Sequence, residues 1–254
     1  MPTDLHLDLT GKAALVSGGS RGIGAACCRL LARAGCDVAV NYRRRADAAQ
    51  AVVAGIERLG RRAVAVPGDV ANPQLVGAMV AQAVSAFGRL DVLVANAGIW
   101  TDGAIDRMTD ADWARMIGVN LTGTFHLIRE AVPHLRAQEG ASIVVIASTA
   151  GQRGEAFHSH YAASKGGLLA LVRSLAVELA PIRVNAVSPG WIRTDMTEPF
   201  LRPDTIGDSL KEPIPRGQPG DPEDVAGPVV FLASPLARHM TGAILNVNGG
   251  AVLA

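Results

Sequence analysis

Residues 17–24 read Ser17-Gly18-Gly19-Ser20-Arg21-Gly22-Ile23-Gly24, and two chemistries compete for them. Gly18-Gly19-Ser20-Arg21-Gly22 has the G-x-S-x-G form of a hydrolase nucleophile elbow, which would make Ser20 a nucleophile. The same residues make a glycine-rich turn in which backbone amides can approach a phosphate at a helix N-terminus. Position separates the two readings. An elbow follows several strands and precedes an acid and then a histidine, whereas this stretch follows the first apolar run, Ala13–Ser17. His126, His158 and His239 lie downstream, so motif matching alone leaves a triad open. A Walker loop is excluded, because Ala25 and Ala26 follow Gly24 where that loop needs Lys and then Ser or Thr. The general G-x-G-x-x-G pattern also fails in detail, and on its own the stretch reads equally well as a plain tight turn. Read as a cradle, Gly18, Gly22 and Gly24 clear the approach and Ser20 joins the lining.

The chain around this turn has 254 residues, 49% hydrophobic and 19% charged, enough to bury a large core. A formal net charge of +1 argues against a broad basic surface for nucleic acid or anionic lipid. The opening residues carry no basic segment followed by an apolar one, and no apolar run reaches the roughly 18 residues that span a bilayer. The expectation is a cytoplasmic protein with neither nucleic-acid nor membrane partners. Cys27, Cys28 and Cys36 are odd in number and bunched, which suits reduced, buried thiols better than a disulfide framework.

Short β-type runs alternate with longer helical stretches throughout. The strand candidates are 13–17, 38–41, 63–67, 90–96, 142–148, 183–188 and 243–247, and the helical ones are 22–34, 46–59, 73–87, 110–136, 161–179 and 222–233. Such alternation predicts right-handed βαβ crossovers, a parallel sheet and helices on both faces. No repeat or linker divides residues 1–254, so one α/β domain is expected. Residues 194–219, rich in Pro and Gly with mixed polarity, read as a substrate lid. In an open α/β sheet, ligands bind beyond the carboxyl ends of the strands. The unusual residues gather there: the glycine turn after the first strand, Gly68-Asp69-Val70 after the third, Asn96-Ala97-Gly98 after the fourth, Ser148 ending the fifth, and Pro189-Gly190 after the sixth.

Tyr161-Ala162-Ala163-Ser164-Lys165 adds a Y-x-x-x-K, with Ser148 upstream. Together with Ser17-Gly18, Gly22-Ile23-Gly24, Asn96-Ala97-Gly98, Asn120 in Gly118-Val119-Asn120 and Pro189-Gly190, this resembles the short-chain dehydrogenase/reductase family across essentially the whole chain. Within that family, the stretches at 40–44, 161–167 and 241–250 are most similar to β-ketoacyl-carrier-protein reductases. The resemblance implies a Rossmann-like doubly wound fold with about seven parallel strands in the order 3-2-1-4-5-6-7.

The same resemblance implies a catalytic set of Asn120, Ser148, Tyr161 and Lys165. A free tyrosine, with a pKa of about 10, is a poor base near neutrality. On a helix, Tyr161 and Lys165 share a face, so the ammonium, with an oxidised nicotinamide, is expected to lower the phenol pKa. Ser148 would orient the substrate oxygen and Tyr161 would exchange its proton. By resemblance, Lys165 also holds the nicotinamide ribose and Asn120 joins a water-linked proton relay. Asp69 and Val70 correspond to adenine contacts, Asn96, Ala97 and Gly98 to the cleft wall, and Ile192 and Thr194 to carboxamide contacts. Pro189 and Gly190 belong to the same cofactor set as Gly18, Ser20, Arg21, Gly22, Ile23 and Gly24. NAD-binding folds place an acid about 20 residues beyond the glycine turn. Here Tyr42 occupies that place and Arg43, Arg44 and Arg45 follow, so Arg21 and Arg43 are expected to pair with a 2′-phosphate and favour NADP(H) over NAD(H).

Departures from the resemblance fall around the substrate. Trp100, Phe157, His158 and Trp191 are the expected pocket residues, and no ligand cluster accompanies His158 and His160 to suggest a metal. The expected substrate is a small carbonyl or alcohol, with carrier-protein- or CoA-linked 3-oxoacyl thioesters among the candidates. The alternatives are an alcohol dehydrogenase for a small or cyclic secondary alcohol, and a catalytically silent nucleotide-binding protein of the same fold. A homotetramer is a further implication of the resemblance.

Overall fold

The computed structural model describes residues 7–201 and 214–253. Seven parallel strands form one sheet in the order β3-β2-β1-β4-β5-β6-β7. They are β1 (Ala13–Val16), β2 (Asp37–Tyr42), β3 (Ala63–Pro67), β4 (Val92–Ala95), β5 (Ser142–Ile146), β6 (Arg183–Pro189) and β7 (Ile244–Val247). Register follows directly, with Leu15 opposite Ala39 and Leu93, and Val144 opposite Asn185. Because successive side chains point to opposite faces, each strand feeds two cores. Leu15, Leu93, Ala95, Ile143 and Val145 join one, while Ala14, Val16, Val92, Val94 and Val144 join the other. This double burial explains why the strands read as unbroken apolar runs.

The first core is closed by α3 (Pro73–Phe87), α5 (Gly123–Leu135) and α7 (Ser159–Glu178), which contribute Met79, Leu127 and Leu168. The second is closed by α1 (Gly22–Arg33), α2 (Ala46–Glu57) and α8 (Pro222–Ala233), through Leu31, Ile56 and Val229. Cys27, Cys28 and Cys36 are free and buried in this second core, and burial pushes the Cys27 thiol up to about 12.

Residues 110–136, expected as one helix, are interrupted. They form α4 (Asp110–Ile117), a π-helical segment Gly118–Thr122, and α5. Two tertiary contacts account for the extra residue in the turn. Asn120 Oδ1 accepts from Ile99 N at 2.8 Å and its Nδ2 donates to Ile99 O at 3.0 Å, while Gly123 packs so closely on Val70 that a Cβ would lie 2.9 Å from it. A π-bulge of this kind re-aims one side chain without ending the helix. A short helix, α6 (Ala150–Arg153), lies after β5. Part of the expected lid, residues 202–213, lies outside the described residues.

Candidate active site

The turn after β1 is locked by two asparagines. Asn41, at the end of β2, accepts from Gly18 N at 3.0 Å and donates to Val66 O and Gly68 O. Asn96 donates to Ser17 O at 2.9 Å and to Gly18 O at 3.2 Å, and Ser17 Oγ accepts from the amides of Asn96 and Ala97. Gly24 sits where a Cβ would lie 2.2 Å from Gly18 O, and Gly18 has φ +62°. Both positions therefore require glycine. The first turn of α1 has no side-chain cap, leaving its amides facing the cleft.

That cleft has a volume of about 510 Å³ and runs along the carboxyl ends of the strands. Its lining includes all the residues expected to hold a cofactor, from Gly18 and Ser20–Gly24 through Tyr42, Arg43, Asp69, Val70 and 96–98 to Tyr161, Lys165, Pro189, Gly190, Ile192 and Thr194. An uncapped helix N-terminus beneath a glycine-rich turn fits the phosphates of a dinucleotide. Arg43 already pairs with Asp69 at 3.3 Å and Arg21 with Asp195 at 3.2 Å. Both pairs are solvent-accessible, so a phosphate can compete for either arginine. Asn41 belongs to this lining too. Its signal was a polar residue at the end of an apolar strand.

Ser148, Tyr161 and Lys165 converge where the cleft meets a second cavity of about 80 Å³. Ser148 and Tyr161 line both, and the Ser148 hydroxyl lies near enough to the phenol to favour its charged form. Lys165, 4% exposed, donates from Nζ to Ile146 O at 2.8 Å and lies 5.7 Å from the centre of the Tyr161 ring. Burial pushes the lysine down to about 8. It pushes the phenol up to about 12, against the pull of Ser148 and with a smaller contribution from Glu155. The expected lowering of the phenol by Lys165 is thus not made within the protein alone: with the lysine at about 8 and the phenol at about 12, the ammonium has lost its proton before the phenol titrates. Asn120 does not reach the cleft lining. Its amide is held by Ile99 and donates to Ser164 Oγ at 3.1 Å. Gly98 is what lets it close in: a Cβ there would lie 3.3 Å from Asn120 Oδ1 and 3.7 Å from Lys165 Nζ.

Of the four expected pocket residues, Trp100 and Trp191 line the second cavity. His158 lies behind Trp100, stacked on it at 4.5 Å. Phe157 lines neither cavity and is 60% exposed. Glu155, Met196 and Thr197 also line the second cavity, although the spacing in the sequence singled out none of them. Among the described residues, no group of His, Cys, Asp and Glu is placed to hold a metal.

A family model described as enoyl-(acyl carrier protein) reductase matches residues 18–252. A 3-oxoacyl-[acyl-carrier-protein] reductase from Staphylococcus aureus is 42% identical over 245 residues, covering 94% of this chain and 97% of its own. An L-rhamnose 1-dehydrogenase (NAD(P)(+)) from Sphingomonas is also 42% identical over 245 residues, covering 95% and 96%. The crystal structure of a short-chain dehydrogenase from Burkholderia cenocepacia in complex with NADP has a TM-score of 0.88 and 42% identity, covering 96% of this chain and 98% of that one.

Proposed function

Because the chain belongs to the short-chain dehydrogenase/reductase family, whose members act on CH–OH groups with NAD(P), we propose that it interconverts a ketone and a secondary alcohol using NADP(H). The observation that carries this reading is the junction of the two cavities, lined on both sides by Ser148 and Tyr161, with Lys165 buried beside them. Bound NADP(H) supplies or accepts the hydride and, when oxidised, adds a positive charge. The glycine turn and the amides of α1 hold its phosphates, and Arg43 and Arg21 favour a 2′-phosphate. Ser148 donates to the substrate oxygen, and Tyr161 delivers or takes its proton at the phenol oxygen. Lys165 anchors the ribose, and a cation brought near the phenol makes the phenolate easier to form. Asn120 supports this group by holding Ile99 and Ser164, whose hydroxyl donates to Tyr161 O at 2.7 Å. A proton relay through Asn120 therefore rests on the family resemblance.

Similarity to 3-oxoacyl reductases supports an acyl thioester as substrate, and similarity to a rhamnose dehydrogenase supports a polyhydroxylated alcohol. The intact Ser148, Tyr161 and Lys165 weigh against a silent nucleotide-binding protein. We also place the protein in the cytoplasm, with three free buried thiols in support, and as a homotetramer. Trp113, Phe125 and Val177, exposed on α4, α5 and α7, support the assembly. Among the described residues no helix is long and apolar enough to cross a membrane. The test is NADPH oxidation with an acetoacetyl thioester and with simple ketones. Tyr161→Phe should lose about 10²–10⁴ in turnover while NADPH still binds. Full turnover by the variant would refute the mechanism.

A further inference from the structure

The second cavity has a polar end that the chemistry above does not use. Glu155 lines it, its side chain 25% exposed, and does not line the cofactor cleft. The indole of Trp100 lies near its carboxylate and favours the charged form, and His158 Nδ1 lies 3.7 Å from its Oε1. Trp100 is itself clamped. His158 stacks on one face with an angle of 4° between the rings, and the rings of Phe200 and Trp191 meet it edge-on at 5.0 and 6.0 Å.

The backbone on either side of Glu155 is unusual. Gly154 has φ +81°, and Phe157 has φ +63°, the one non-glycine positive φ among the described residues. Phe157 is held there by its carbonyl, which accepts from Gly103 N at 2.7 Å, while its ring points outward, 60% exposed. Backbone strain of this sort persists only where the surroundings enforce it. Here it turns residues 154–158 so that the carboxylate, and not the phenyl ring, faces the cavity.

We propose that Glu155 selects the substrate of the oxidoreductase reaction by accepting a hydrogen bond from a second hydroxyl, so that the preferred substrate is a compact, neutral polyhydroxylated alcohol or its ketone. This rests on the ketone–alcohol reading above. A carboxylate has about four acceptor sites, and its neighbours Trp100 and His158 do not fill them, which leaves capacity for a hydroxyl donor. A methylene chain laid across Glu155 would cover the carboxylate without supplying a donor. An anionic substituent would meet its charge directly. Arg153 lines the same cavity, and His158 stands behind Glu155, so the pocket is not a simple cation trap. Trp100 and Trp191, their rings at 86°, form an aromatic corner against which the C–H groups of a ring can pack. Burial raises the Glu155 carboxyl, with His158 opposing it, which marks the group as one that gains from a further donor.

The full chain with NADP⁺ would be assayed on cyclohexanol and on cis-cyclohexane-1,2-diol. A preference for the diol of about tenfold or more in kcat/KM is expected, the size of one hydrogen bond to a charged group. Glu155→Leu should remove that preference by raising KM for the diol alone, while kcat on the two alcohols shifts together because the same charge also acts on the Tyr161 phenol. Glu155→Gln, which keeps the shape and a neutral acceptor, should fall between the two. Equal losses on both substrates, or turnover of both alcohols by the wild type without a preference, would overturn the proposal. Ligand-observed NMR titration of the diol into Tyr161→Phe with NADP⁺ separates binding from chemistry. Diol binding that Glu155→Leu weakens, alongside wild-type enzyme that turns over neither alcohol, would uphold the role of Glu155 and sink the ketone–alcohol reading. Turnover of cyclohexanol without diol binding would do the reverse.

Discussion

At Tyr161 and Lys165, burial works on two groups in opposite directions. The phenol is held neutral, near 12, and the ammonium is brought down to about 8. The pair shares a helical face, as its spacing implies, but Lys165 points its proton at Ile146 O instead of the phenol oxygen. A cation kept in this position is a cost to the fold. Its folded pKa lies below the ordinary lysine value of 10.5, so the unfolded chain binds more protons between about 8 and 10.5. Stability contributed at this site therefore rises with pH across that window. Lys165→Met should abolish activity and stabilise the protein at pH 7 by about 1–3 kcal/mol, an advantage that fades by pH 10. Urea unfolding at the two pH values checks both claims. At the other end of the cleft, Arg43→Ala should weaken NADPH binding about tenfold and leave NADH binding nearly unchanged, measured by fluorescence titration.

Among the elements, the glycine turn and the π segment show opposite degrees of legibility. The turn was readable because its chemistry is local: a strand must become a helix within a few residues. Its mooring by Asn41 and Asn96, which reach it from β2 and from beyond β4, was not. Gly24→Ala would place a methyl group 2.2 Å from Gly18 O, where neither backbone can yield cheaply. That variant should lose about 1–3 kcal/mol in urea unfolding and bind NADPH poorly, whereas Ala at the exposed Gly60, with no atom within 4 Å of its Cβ but a φ of +74°, should cost stability alone. The π segment at Gly118–Thr122 was invisible to periodicity. Its residues continue the helical pattern, and only the grip of Asn120 on Ile99 and the contact of Gly123 with Val70 set the extra residue.

For the whole molecule, one sheet gathers residues far apart in the chain at a single edge. Every loop that reaches the cleft leaves the carboxyl end of a parallel strand, so the order of strands decides which loops meet. The outer surfaces of α4, α5 and α7 leave Trp113 and Phe125 each 44% exposed and Val177 82% exposed. A tetramer that covers them should dissociate in the double variant Phe125→Asp, Val177→Asp, with a smaller mass in sedimentation velocity. A monomeric wild type at micromolar concentration would count against the assembly.

The alternation of apolar runs and helical stretches was enough to determine the sheet and its helices, because each strand buries both faces and so announces itself over a few residues. Spacing put Tyr161 and Lys165 on one helical face, because that is a local property, but their catalytic role and the cradle reading of the glycine turn came from the resemblance of the whole motif set to the short-chain dehydrogenase/reductase family. The substrate wall was not legible. Trp100, Glu155, His158, Trp191 and Phe200 come from three separate segments, and their stacking and contacts exist only once the sheet has brought those segments together. Local sequence carries periodicity and turn chemistry, but not which loops will face one another. That is why Phe157 read as a pocket residue while Glu155, two positions earlier, is the one whose side chain turns inward.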